Sequence, residues 1–249
     1  MSERIAIFGA TSGIGRALAA VLAGRGARLC LLGRHEEELN RIAADLRVRY
    51  GADAAAERFD AEAFDDHATV VERAIERLGG RLDGVVVCHG VMFDQAEARQ
   101  RAELIRRTYE VNLTSVASVL EPVAARMAER GRGWIAALSS VAGDRGRQSN
   151  YLYGSAKAGM SAYLQGLRNR MHHHGVRVLT VKPGFVDTPM THGLLDPDSP
   201  LVASPQRVAK DIDRAIRRGR STVYTPWFWR GIMAIIRSIP EPLFRRLKL

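Results

Sequence analysis

Short apolar runs alternate with longer amphipathic stretches along this chain. Residues 5–8, 27–32, 54–59, 85–88, 134–138 and 176–181 are largely apolar and of the length of buried strands. Between them lie stretches with helical spacing of apolar positions, at about 16–26, 35–50, 64–79, 99–130 and around Tyr153. Strands that alternate with helices of ten or more residues pair in parallel through right-handed crossovers. The pattern predicts an α/β fold: a single doubly wound parallel sheet of about seven strands, with helices on both faces. Residues 1–225 would form that domain, and 226–249 a basic, aromatic, amphipathic tail.

Composition adds bounds. The 249 residues suffice for one large core, and no repeat or low-complexity run interrupts them. A formal net charge of +10 suits an anionic partner, whether cofactor, lipid or nucleic acid. It also suits ordinary solvation by scattered arginines. Cys30 and Cys88 both fall in buried runs, which fits a reducing compartment better than a disulfide framework. With Met1 leading directly into a strand and no apolar run of about 18–20 residues, the sequence predicts a cytoplasmic protein that touches a membrane, if at all, from the inner face.

The first strand ends in Gly9-Ala10-Thr11-Ser12-Gly13-Ile14-Gly15 and a helix follows. Strand, glycine turn and helix in that order build a phosphate site. Glycine lets the backbone approach the anion, and the helix start offers free N–H groups. The second strand ends at Gly33-Arg34, where a dinucleotide fold tests the adenosine ribose. Arginine in place of an acid favours the 2′-phosphate of NADP(H) over NAD(H). The alternative is a solvated strand end.

Tyr153 and Lys157 stand four apart on a helix, hence on one face, with Ser139-Ser140 shortly before. An ammonium beside a phenol lowers its pKa from about 10, which suits general-acid work near neutrality. Taken alone, the pair is common on helix surfaces.

The full set of motifs, over roughly 4–225, resembles the short-chain dehydrogenase/reductase family. It comprises Gly9–Gly15, Asp60, Gly90, Asn112, Ser140, Tyr153, Lys157, Pro183-Gly184 and Thr188. The resemblance implies an NADP-dependent oxidoreductase with catalytic Asn112, Ser140, Tyr153 and Lys157. Tyr153 would protonate a carbonyl that Ser140 holds. Lys157 would tune Tyr153 and bind the nicotinamide ribose. Asn112 would bend its helix and position a water. Cofactor contacts would come from Gly9, Thr11, Ser12, Gly13, Ile14, Gly15, Arg34, Asp60, His89, Gly90, Tyr153, Lys157, Pro183, Gly184, Val186 and Thr188. One departure stands out: Val87-Cys88-His89-Gly90 occupies the place of the family's Asn-Asn-Ala-Gly. It removes a side chain that braces the sheet and sets His89 beside the cofactor, mainly through its backbone.

A closer similarity, carried by 139–151, 182–190 and the tail, is to the bacterial branch of decaprenylphosphoryl-2-keto-ribose reductase. It implies a keto-sugar on a polyprenyl phosphate as substrate, in cell-envelope glycan synthesis. Arg147, Gln148, Asn150 and Tyr151 are then candidates for its polar groups. Met190 and Leu194 are candidates within a lid at about 188–205. Alternatives are a soluble ketone, a 3-oxoacyl thioester, or a non-catalytic dinucleotide sensor or scaffold. Family habit implies a homodimer or homotetramer.

The tail, with Trp227, Phe228, Trp229 and a basic end, has the composition of an interfacial helix on anionic lipid. A helix covering the core or a dimer contact is the competing reading. His172-His173-His174 does not form a metal site, because adjacent helical residues point about 100° apart. No metal and no nucleic-acid partner is expected.

Overall fold

The computed structural model describes residues 2–191, 193, 196 and 198–247. The chain opens with β1 (Arg4–Phe8), α1 (Gly13–Ala23), β2 (Arg28–Gly33), α2 (Glu36–Tyr50) and β3 (Ala54–Arg58). Then come α3 (His67–Arg77), β4 (Gly84–Val87), a short α4 (Gln95–Ala98) and α5 (Ala102–Tyr109). A π-helical turn, Glu110–Thr114, joins α5 to α6 (Ser115–Arg130). Next are β5 (Gly133–Leu138), α7 (Tyr151–His172), β6 (Val176–Pro183), and the two short strands β7 (Phe185–Val186) and β8 (Val202–Ala203). The chain finishes with α8 (Pro205–Arg217), β9 (Thr222–Thr225), α9 (Trp229–Ser238) and α10 (Glu241–Phe244).

Seven strands form one parallel sheet in the order β3-β2-β1-β4-β5-β6-β9. Both faces are covered, which explains why the strands read as unbroken apolar runs. Ile5, Ile7 and Val86 pack on one side with α1, α2 and α8. Ala6, Phe8, Val85 and Val87 pack on the other with α3, α6 and α7. The strand order reverses between β1 and β4, which opens a crevice at their carboxyl ends. The β1, β4, β5 and β6 termini deliver Gly9, Gly90, Ser140 and Gly184 to that edge.

The sequence reading of one helix over 99–130 is corrected. The helix starts at Ala102 and is broken by the π turn centred on Asn112. A π turn is the geometry in which a helix takes up one extra residue, and it bends the axis there.

The tail is also corrected in part. The apolar side of α9 faces inward: Trp229 and Met233 are buried against Val141, with Phe185, Tyr224, Ile232 and Ile236 around them. Part of the apolar face thus covers the carboxyl edge of the sheet, while Ile235 stays exposed. Among the described residues no helix is long and apolar enough to cross a membrane.

Candidate active site

Ser12 caps α1. Its Oγ accepts from the Gly15 N–H at 3.1 Å and donates to the Gly9 carbonyl at 2.8 Å. The two preceding N–H groups, of Gly13 and Ile14, have no acceptor among the described residues. They are the free donors that an anion at a helix start uses. The glycines bring the walls of this turn together. A Cβ on Gly9, whose φ is +79°, would lie 2.5 Å from the His89 nitrogen. One on Gly15 would lie 2.4 Å from the Gly9 oxygen. A Cβ on Gly13 would lie 3.2 Å from the Thr188 methyl, which places the glycine turn against the segment after β7. These residues fit a dinucleotide pyrophosphate.

Thr11 lies against Gly33, its Oγ1 3.5 Å from where a Cβ there would sit. Arg34 is exposed just beyond, in electrostatic reach of Glu62. Arg16, which the sequence reading passed over, pairs with Glu38 at 2.5 Å. Asp60 receives the Glu62 N–H on Oδ1 at 3.1 Å, and its backbone oxygen meets His67 Nε2 at 3.0 Å.

At the end of β4, Asn112 holds the chain. Its amide donates to Val91 O and to Thr108 O, both at 2.8 Å, and its oxygen accepts from Val91 N at 3.2 Å. A Cβ on Gly90 would come within 2.8 Å of Asn112 Oδ1 and 3.4 Å of Lys157 Nζ. The Asn112 amide hydrogens are both engaged, so the side chain anchors Val91 and Thr108 at the bend. His89 meets Ser115 Oγ through Nε2 at 2.9 Å. Its Nδ1 is buried with no partner among the described residues. Burial, then Lys157 and His67, hold its pKa down at about 3, so it is neutral and no acid–base group at ordinary pH.

β5 leads into Ser140, whose Oγ accepts from Ala142 N at 3.1 Å and sits near enough to the Tyr153 hydroxyl to lower its pKa. α7 carries Tyr153 and Lys157. Lys157 is 3% exposed, donates to the Leu138 carbonyl at 2.9 Å, and has its Nζ 5.7 Å from the Tyr153 ring centroid. Burial holds its pKa down at about 8, against a small opposite pull from Cys88. The expectation that Lys157 draws the phenol pKa down is not met in this structure. Burial pushes Tyr153 up to about 12, and Ser140 offsets only part of that. The phenol is therefore protonated throughout the neutral range, the form in which a general acid acts.

Pro183 and Gly184 end β6. A Cβ on Gly184 would lie 1.9 Å from Trp229 Nε1, so the absent side chain is filled by the tail. Val186 is buried in β7, and Thr188 N bonds to Thr191 Oγ1 at 3.2 Å.

The approach to Tyr153 is polar. Arg147 Nε and Asn150 Oδ1 are buried and without partners among the described residues. Burial lowers the Arg147 pKa, with a partial counter-effect from Asp144. Gln148 and Tyr151 are exposed, as is Met190. Leu194 lies outside the described residues. Gln95 was not anticipated: its Oε1 accepts from Leu152 N at 3.1 Å, and its buried Nε2 has no partner among the described residues. Only the fold brings α4 to the start of α7, so no local signal marks it.

The model of the short chain dehydrogenase family matches residues 3–198. An uncharacterised oxidoreductase of Mycobacterium tuberculosis is 36% identical over 243 residues, covering 98% of this chain and 96% of its own. A short-chain dehydrogenase from Sphingobium yanoikuyae, solved in complex with NADPH, is 26% identical. It superposes with a TM-score of 0.83 over 96% of this chain and 97% of its own. A variant of actinorhodin polyketide ketoreductase with NADPH gives a TM-score of 0.81 at 26% identity, over 92% and 97%. The chain belongs to the short-chain dehydrogenase/reductase family and is an oxidoreductase.

Proposed function

We propose that this oxidoreductase is an NADPH-dependent carbonyl reductase that forms an alcohol from a ketone, with a keto-sugar on a polyprenyl phosphate as its preferred substrate. The observation that carries the reaction is the juxtaposition of the buried Tyr153 hydroxyl with Ser140, and with Lys157 one turn away on α7. The nicotinamide, when bound, supplies the hydride to the carbonyl carbon. Tyr153 donates its proton to the carbonyl oxygen, and Ser140 donates a hydrogen bond to that same oxygen. The Lys157 ammonium stabilises the phenolate left behind. NADPH is favoured over NADH by Arg34 after Gly33, with Arg16 at the same side of the glycine turn, and by the NADPH held in the two similar structures.

The substrate reading draws support from Gln95, Arg147 and Asn150. Their unmet buried polar atoms suit a ligand rich in hydroxyl and anionic groups. Arg230, Arg237, Arg245 and Arg246, with Trp227 at 75% exposed, suit approach to an anionic lipid surface. A second reading, a soluble ketone or 3-oxoacyl thioester, is favoured by the likeness to a polyketide ketoreductase and by the inward-turned face of α9.

NADPH oxidation measured against lipid-linked keto-pentoses and against water-soluble ketones separates these readings. Turnover confined to the lipid-linked set is the expected result. Turnover on soluble ketones alone leaves the reductase standing and removes the lipid. A Tyr153→Phe variant as active as the parent would remove the mechanism itself.

A further inference from the structure

Ser140 must keep its hydroxyl in one place, and the loop that follows it is short of regular structure. The loop runs from Val141 to Asn150 and begins with a single 3₁₀ turn, Val141–Asp144. Two bonds to Ser140 close that turn: Ala142 N to its Oγ at 3.1 Å and Gly143 N to its backbone oxygen at 3.1 Å. A turn of this kind is weak by itself. Asp144 holds it on the sheet side, pairing with Lys182 of β6 and accepting from the Tyr224 hydroxyl of β9 at 2.8 Å.

Arg145 holds it on the other side. Its guanidinium donates to the carbonyls of Ile236 at 2.7 Å, Arg237 at 3.2 Å and Ile239 at 2.5 Å. These are the last carbonyls of α9 and the residue beyond it, which a helix leaves unsatisfied. The same group pairs with Glu241 at 3.0 Å and lies 3.7 Å from the Phe244 ring centroid. The side chain is only 14% exposed. One arginine thus closes the end of α9, meets the first turn of α10 and stacks on its buried aromatic. The planar guanidinium presents Nη1 to the carbonyls, Nη2 to Glu241 and its face to Phe244, which an ammonium cannot do.

The tail grips the loop at a second point as well. Trp229 and Met233 bury against Val141, the residue directly after Ser140. Trp229 also fills the space at Gly184. The C-terminal segment therefore touches both ends of the 3₁₀ turn that orients Ser140.

We propose that Arg145 is a positioning residue, and that the C-terminal segment from α9 to α10 works through it to hold the Ser140 loop. On this view the tail is part of the catalytic apparatus, whatever its outer surface contacts. The inference stands on the loop geometry and does not depend on the identity of the substrate.

Hydrogen exchange on the full chain tests it without any substrate. In Arg145→Met, the amides of Ala142 and Gly143 are expected to exchange about tenfold faster or more, together with 236–244. Phe244→Ala, which attacks the latch from the tail, is expected to speed the same two amides. Arg145→Lys, which keeps a charge for Glu241 and can still reach a carbonyl, is expected to restore part of the protection. Faster exchange confined to 236–244, with Ala142 and Gly143 at parental rates, would overturn the proposal and leave Arg145 a local anchor. Where Arg145→Met does not fold, Phe244→Ala decides by the same two amides. A second readout follows once a ketone substrate is in hand. Loss of kcat in Arg145→Met with NADPH affinity unchanged is expected, and parental kcat would count against the positioning role.

Discussion

His89 Nε2 and Ser115 Oγ lie 2.9 Å apart, and Ser115 sends its own hydrogen to the Val111 carbonyl at 2.8 Å. The serine can therefore only accept from the histidine, so Nε2 carries the proton and Nδ1 carries the lone pair. The bond ties the end of β4 to the first turn of α6 across the π turn that bears Asn112. His89 lies two residues beyond Val87, the position where the family's sheet-bracing asparagine falls.

This buried, neutral histidine makes the fold acid-sensitive. Its pKa is near 3 in the folded protein against an ordinary 6.5. Between those values the unfolded chain binds a proton that the folded chain does not, so stability is fully present above 6.5 and falls as pH falls. The slope is about 1.4 kcal/mol per pH unit for one proton. Urea unfolding of the parent and of His89→Met at pH 6.5, 5.5 and 4.5 measures it. The variant is expected to start less stable, through loss of the Ser115 bond, and to lose stability more slowly with acid. Parallel slopes would mean that His89 charges normally.

On the proposed mechanism, Lys157 sets the alkaline limb of the reaction. Below its pKa of about 8 it is an ammonium that can stabilise a phenolate on Tyr153; above that it is not. The kcat/KM for ketone reduction is expected to hold steady through neutrality and fall above about pH 8. No limb from His89 should appear between pH 5 and 9. In Lys157→Arg, whose charge persists to high pH, the limb at 8 is expected to vanish even where the rate is lower. A limb that survives this substitution belongs to some other group.

Much of this arrangement was legible in the sequence, because it is local. Strands buried on both faces are written as unbroken apolar runs, and the glycine turn and the Tyr153–Lys157 spacing each lie within a few residues. What stayed hidden is written across long separations. Gln95 meets Leu152, Arg145 meets Ile236 to Phe244, and Trp229 meets Gly184 only after the sheet has formed. The tail shows a further limit. A periodic apolar face announces that something must cover it, and does not say whether lipid or protein does. The pKa of Tyr153 failed for a related reason: spacing places a lysine nearby but carries no measure of burial, and here burial outweighs the neighbour.

Gly184→Ala tests the contact with Trp229. A Cβ there would lie 1.9 Å from Nε1 and 2.1 Å from Cε2 of the indole. The rest of the indole is packed, with Trp229 3% exposed, so the ring has little room to retreat. Overpacking of this kind costs about 1–3 kcal/mol. In a Trp229→Leu background the same alanine is expected to cost much less. A double-mutant cycle read by urea unfolding reports that coupling. Equal costs in both backgrounds would show that Gly184 serves some need of its own backbone.

The proposed preference for NADPH rests on the few residues beyond β2. Gly33 leaves room beside Thr11, and Arg34 stands next in the chain, exposed and near Glu62. A 2′-phosphate there would gain a charge-assisted bond from the guanidinium, which NADH cannot use. Such a bond is worth about 1.5–3 kcal/mol, or roughly ten- to a hundredfold in affinity. Fluorescence titration of Arg34→Ala is therefore expected to show NADPH weakened by at least about tenfold, with NADH nearly unchanged. Arg16 offers a competing source of the same charge, presently paired with Glu38. If Arg16 reads the phosphate, Arg16→Ala produces the selective loss, and Arg34→Ala weakens both cofactors alike or neither. The pair of variants assigns the phosphate to one arginine, to both, or to neither.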